Sequence, residues 1–160
     1  MNEDQVRQDV LELLEGRSAH GDLDALTADL PTALRGTVPD GQSHSPWRLI
    51  EHMRLAITDI VDFVAEPDAE SPDWPEGYWP DADAPPSDEA WDHCIGEIHR
   101  QLDRLRAMIR DPESDPTAAP AHTGGKTPLR AALLAADHNA YHLGQLATVR
   151  KLLGVPAGVP

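Results

Sequence analysis

The chain has 160 residues, 40% of them hydrophobic, which is enough for one domain with a sizeable core. Lys+Arg total 13 against Asp+Glu 28, a formal net charge of -15, and the few cations are scattered from Arg7 to Lys151, which argues against a nucleic-acid duplex or an anionic bilayer as the main partner. The single cysteine, Cys94, excludes an internal disulfide and a cysteine-based metal cluster.

The N-terminus, Met1-Asn2-Glu3-Asp4-Gln5, is acidic and lacks the basic and apolar regions of a signal peptide. No apolar run is long enough to cross a bilayer, so a cytoplasmic protein is expected. Val6, Val10, Leu13 and Leu14 follow helical spacing and predict a first helix over roughly residues 3–16, with Gly16 at its end. Leu23, Leu26, Leu30 and Leu34 continue the pattern more briefly. Asp22 can cap a short helix there, and Pro31 breaks it.

Ser45-Pro46 opens the second long helix, with serine as N-cap and proline at the first helical position. Leu49, Met53, Ala56, Ile57, Ile60 and Val64 form its apolar stripe, which also carries His52, and Pro67 marks its stop. A proline-rich segment from Pro67 to Pro86 follows, with Trp74, Tyr78 and Trp79. A loop of this length inside a domain is often functional. Its aromatics either pin it to the helices or wall a pocket.

Ser87 caps a third long helix whose stripe is Trp91, Cys94, Ile95, Ile98, Leu102, Leu105 and Ile109, and Asp111-Pro112 ends it. Cys94 lies on that stripe with no basic neighbour to activate it, so it reads as a core residue. After a second loop, Thr127-Pro128 repeats the cap logic of Ser45-Pro46. The fourth long helix runs to about Leu153, where Gly154 and Pro156 end it. Its inner stripe reads as Leu134, His138, Tyr141, His142, Gln145, Val149 and Leu152. No strand pattern competes with these helices. The chain therefore predicts an all-α four-helix bundle occupying residues 1–160 as one domain, a fold that commonly builds metal sites from facing helices.

His138 and His142 are four apart and share one helix face. His52 can supply a third imidazole from a facing helix. A lone histidine on an apolar stripe is ordinarily a satisfied core residue, but three buried neutral imidazoles are costly without partners, and one metal ion satisfies all three. Three histidines leave a divalent transition metal an open coordination position, as a reactive site requires. The pattern is not that of a zinc peptidase, which needs H-E-x-x-H: Asn139 follows His138 and cannot take a proton. His20, His44 and His122 fall in loops, and His93 and His99 flank the core stripe of the third long helix.

Three segments together resemble the DinB-like superfamily: Asp137-His138-Asn139-Ala140-Tyr141-His142-Leu143-Gly144-Gln145-Leu146, His44-Ser45-Pro46-Trp47-Arg48-Leu49-Ile50-Glu51-His52, and Trp74-Pro75-Glu76-Gly77-Tyr78-Trp79-Pro80. The resemblance implies an up-down-down-up bundle, often a homodimer. It implies a divalent metal, nickel or zinc, on His52, His138 and His142. The activity it implies is that of a thiol S-transferase using a low-molecular-weight thiol, or of a hydrolase acting on a small molecule. Trp74, Tyr78 and Trp79 would wall the pocket, and Tyr141 or Gln145 would supply a hydrogen bond. The alternative is a non-catalytic metal- or ligand-binding protein of the stress response, which the lack of an evident general base favours. No nucleic-acid or membrane partner is expected.

Overall fold

The computed structural model describes residues 3–16 and 19–155. Pro156, read above as part of the last helix stop, lies outside them. Among the described residues the regular structure is entirely helical: α1 (Glu3–Glu15), the short α2 (Leu23–Thr27), α3 (Pro46–Ala65), α4 (Asp88–Arg110) and α5 (Pro128–Leu152), with a single 3₁₀ turn before each of α3, α4 and α5. No helix of the structure is long and apolar enough to cross a membrane.

The starts of α2, α3, α4 and α5 carry the side-chain caps that their sequences announce. Asp22, Ser45, Ser87 and Thr127 accept hydrogen bonds from the backbone N–H groups of Ala25, Arg48, Ala90 and Arg130 respectively. Pro46 and Pro128 sit in the first turn, where a missing N–H costs nothing. At the far end of α5, Gly154 adopts φ +76°, Gly154 N–H bonds to the Lys151 carbonyl and Val155 N–H to the Arg150 carbonyl. This left-handed wrap is one that glycine enters without steric cost.

α3 packs against both α4 and α5, and α1 also packs against both, so α1 and α3 lie on opposite sides of the four long helices. This packing is compatible with the up-down-down-up order. The core runs through Ile50, Ile57 and Val61 of α3, Ile98, Leu105 and Ile109 of α4, and Ala132, Ala135 and Leu146 of α5. Cys94 is buried among them, and burial pushes its thiol well above the ordinary cysteine range, so it is inert core.

The phase of α5 differs from the sequence reading. Leu134, Tyr141 and Leu152 are exposed, while Ala131, Ala132, Ala135, Asn139, Leu143, Leu146 and Arg150 are buried with His142 and Val149. Apolar residues occur all around this helix, so their spacing does not fix which face turns inward. The packed face is the one lined by alanines, which lets α5 approach its neighbours closely. Arg150, almost fully buried, donates to the Leu26 carbonyl at 2.8 Å and so ties α5 to α2. Leu13 of α1 is likewise exposed, leaving Val10 and Leu14 to carry that contact.

Candidate metal centre

α3 and α5 lie side by side and bring His52, His138 and His142 together. One ring nitrogen from each lies within 4.8 Å of the others. The ring centroids are 5.0 Å apart for His52–His138, 4.5 Å for His52–His142 and 4.4 Å for His138–His142.

Two of the rings are set by hydrogen bonds at the nitrogen facing away from the cluster. His52 Nδ1–H donates to the Tyr78 carbonyl at 2.7 Å, and His142 Nδ1–H donates to Gln145 Oε1 at 2.8 Å. In each ring that leaves Nε2 as an unprotonated lone pair, which is how an outer partner fixes the tautomer of a metal-binding histidine. His52 Nε2 faces His138 Nε2 at 3.1 Å. Two such nitrogens either share a proton or turn both lone pairs on a cation, and the donor set fits a divalent transition metal. Among the described residues no further His, Cys or carboxylate joins the group.

The long loop between α3 and α4 supports the cluster. Its Trp79 ring stacks on His52 at 3.9 Å, with 2° between planes, and His44 stacks on Trp79 at 4.2 Å. Arg48 lies over the same indole at 5.9 Å. The preceding residue, Tyr78, donates its hydroxyl to Asp59 Oδ2 of α3 at 2.7 Å. Burial and this carboxylate push the Tyr78 phenol up to about 12, so it stays protonated. The loop turns tightly enough that a Cβ on Gly77 would lie 2.7 Å from Pro72 Cβ. It therefore serves both roles left open by the sequence: Tyr78 and Trp79 fix His52, and Trp74 lies at the rim, 75% exposed.

Beside the histidines is a cavity of about 490 Å³. Trp74, Tyr78, Trp79, Tyr141 and Gln145, the pocket residues named from sequence, all line it. So do His44, which the sequence puts close to the mouth if Ser45 starts the helix, and Asp59, which the sequence reading did not place at the site. Asp59 was legible in principle, because it follows His52 by two helical turns and so shares its face. His44 sits in a loop without periodicity, and its place just before the Ser45 cap was the only signal. His20, His93 and His122 are exposed. His99 is not simply solvated: it pairs with Asp24 at 2.8 Å.

The cluster is held neutral. Burial first, then the neighbouring imidazoles, lower His138 and His142 to about 4, and burial lowers His52 against the pull of the Tyr78 carbonyl. For the metal-free protein the sign is definite. Between pH 6.5 and 4 the unfolded chain binds protons at these positions that the folded chain refuses, so stability falls as pH drops through that window. Thermal melts of metal-free protein from pH 7 to 4 are expected to show this loss. The double variant His138→Ala/His142→Ala should show a shallower slope, and equal slopes would contradict the assignment.

Trp79→Ala is expected to weaken metal binding by about 10–100-fold, the usual effect of removing a group that orients a ligand. Trp79→Phe should recover most of it, because a ring again covers His52. Competition titration with a chromogenic chelator measures both, and an unchanged affinity in Trp79→Ala would show that the stack is only packing.

A family model described as the DinB superfamily matches residues 4–146. No curated protein and no solved structure matches the chain significantly.

Proposed function

The chain belongs to the DinB superfamily, and from that premise we propose that it is a metalloenzyme acting on a small molecule. In this reading nickel or zinc is held by His52, His138 and His142, and the reaction is thiol-dependent S-transfer or hydrolysis. The observation that carries it is the placing of three convergent imidazoles on the wall of a cavity of about 490 Å³, with no fourth protein ligand among the described residues to close the site. When bound, such an ion supplies Lewis acidity and lowers the pKa of a coordinated water or thiol.

The chain's own residues do the remaining work. The Tyr78 carbonyl and Gln145 hold the His52 and His142 rings with Nε2 bare. Trp79 covers His52 on its open face. Ala56, Ile60 and Leu134 give the cavity an apolar wall that excludes water from a bound molecule. The Tyr141 hydroxyl, which accepts from Gln145 Nε2 at 3.3 Å, can donate to a substrate oxygen or sulfur. The same reading places the protein in the cytoplasm, where small thiols are kept reduced. It takes the active form to be a homodimer, to be tested by sedimentation.

The test is metal analysis of untagged protein by mass spectrometry, followed by turnover of a small electrophile with and without a panel of low-molecular-weight thiols. About one metal equivalent and turnover that requires a thiol are expected. Turnover without thiol would assign hydrolysis instead. Bound metal with no turnover on any electrophile would leave a non-catalytic metal protein. Absence of metal, even after addition, would sink the proposal.

A further inference from the structure

We infer that the cavity beside the three histidines takes a molecule bearing an organic ammonium group, seated between Asp59 and the rim aromatics. This deepens the reading above and rests on it for the position of the reacting end. The observations are of charge and of ring faces. Among the described residues Asp59 is the only acidic or basic side chain, histidines aside, that lines the cavity, and no lysine or arginine does. Its carboxylate accepts from the Tyr78 hydroxyl at 2.7 Å, a neutral donor that fixes its direction.

Lys126 and Arg130 line a neighbouring hollow that Asp59 and Leu134 also border, and among the described residues no ion pair joins either cation to Asp59. Arg48 is on the far side, over Trp79, and approaches Asp83 at 3.6 Å. Among the described residues Asp59 therefore faces the histidine cavity hydrogen-bonded to Tyr78 and in no ion pair, with Lys126 and Arg130 on its other side in the neighbouring hollow.

The rings complete the seat. Trp74 and Tyr141 are 75% and 64% exposed, so their faces are open, and Trp74 meets Tyr78 edge to face at 5.5 Å. Exposed indole and phenol faces around a carboxylate attract an alkylammonium through the ring quadrupoles as well as through charge. A neutral apolar group of the same shape gains only the burial. The field of the whole chain acts in the same direction, since a net charge of -15 draws in cations and repels anions. The two ends of the cavity differ: nitrogen lone pairs at the histidines, negative charge at Asp59. With a metal ion on those lone pairs, as proposed above, a ligand with an electron-rich end and an ammonium end would match both.

The test compares choline with its neutral isostere 3,3-dimethylbutan-1-ol, by calorimetric titration of metal-loaded and metal-free protein, with metal content measured on the same samples. Choline is expected to bind at least about tenfold more tightly than the alcohol. Asp59→Asn, which still accepts from Tyr78, should abolish the preference while keeping its metal. Trp74→Ala, at an exposed position, should weaken choline more than the alcohol. Equal binding of the two probes, or binding of neither, would overturn the ammonium seat. If the metal content is then near one equivalent, the metal reading stands on its own. A choline preference in protein that takes up no metal would support the seat and remove the metal reading. A preference that survives in Asp59→Asn would overturn the assignment to that carboxylate.

Discussion

Replacing His142 with alanine is expected to remove the metal from the purified protein without unfolding it. His142 supplies one of three ligands, and with no fourth protein donor among the described residues the remaining two imidazoles hold an ion only weakly. The expected result is a fall from about one equivalent to below about a tenth, a larger loss than removal of an orienting partner produces. His138→Ala and His52→Ala should behave alike, because the three nitrogens form one group. Any turnover should vanish in all three. The fold should survive, since burying a neutral imidazole brings the metal-free protein little. His138 and His142 both sit with their pKa lowered to about 4, which is the mark of an environment that disfavours their charge. Near pH 5 the metal-free His142→Ala chain should therefore be at least as stable as metal-free wild type, by thermal melt. Retention of metal by any one variant would show that the ligand set is wrong. Loss of metal together with loss of helical signal would show that the histidines serve packing.

How much of this was legible in the sequence depends on the kind of signal. Helix starts were the clearest, because a cap is a local matter: Ser45-Pro46, Ser87 and Thr127-Pro128 each specify a hydrogen bond within three residues, and each is made. The pair His138 and His142 was legible from spacing within one helix, and His52 was added to it from a facing helix by the cost of burying unpartnered imidazoles and by the family resemblance. The face of α5 was not, since Leu133, Leu134, Ala135 and Ala136 offer apolar atoms in every direction and only the neighbours decide between them. The roles of the loop were not either. A carbonyl such as that of Tyr78 has no sequence signature, and the stacking of Trp79 between His44 and His52 joins three segments that are remote in the chain. What remained hidden is the outer support of the site, which is made of backbone groups and long-range contacts.

Trp91→Ala is expected to do the opposite of His142→Ala, lowering stability while leaving the ligand set whole. Trp91 is 1% exposed and stands at the start of α4, with the Trp47 ring 6.5 Å away and the Arg35 guanidinium 4.6 Å above its face. It joins the first turn of α3 to α4 and to the segment after α2, where Trp47 N–H bonds to the Arg35 carbonyl at 2.8 Å. Removing a buried tryptophan costs about 3–5 kcal/mol in lost burial and in the cavity left behind. A domain of this size has about 5–15 kcal/mol in all, so the variant approaches its unfolding threshold. The ion pair of Arg35 with Asp88 at 2.9 Å does not offset this, because Asp88 is largely exposed and such pairs contribute about 0–1 kcal/mol. Urea titration of metal-free protein measures the loss, and a change under about 1 kcal/mol would mean that the site refills on its own. Metal separates the two variants. An ion that binds only the folded chain adds about 4 kcal/mol at a thousandfold excess over its dissociation constant. It should bring Trp91→Ala back towards wild type and do nothing for His142→Ala, because only the first retains the three nitrogens that distinguish the folded chain from the unfolded one.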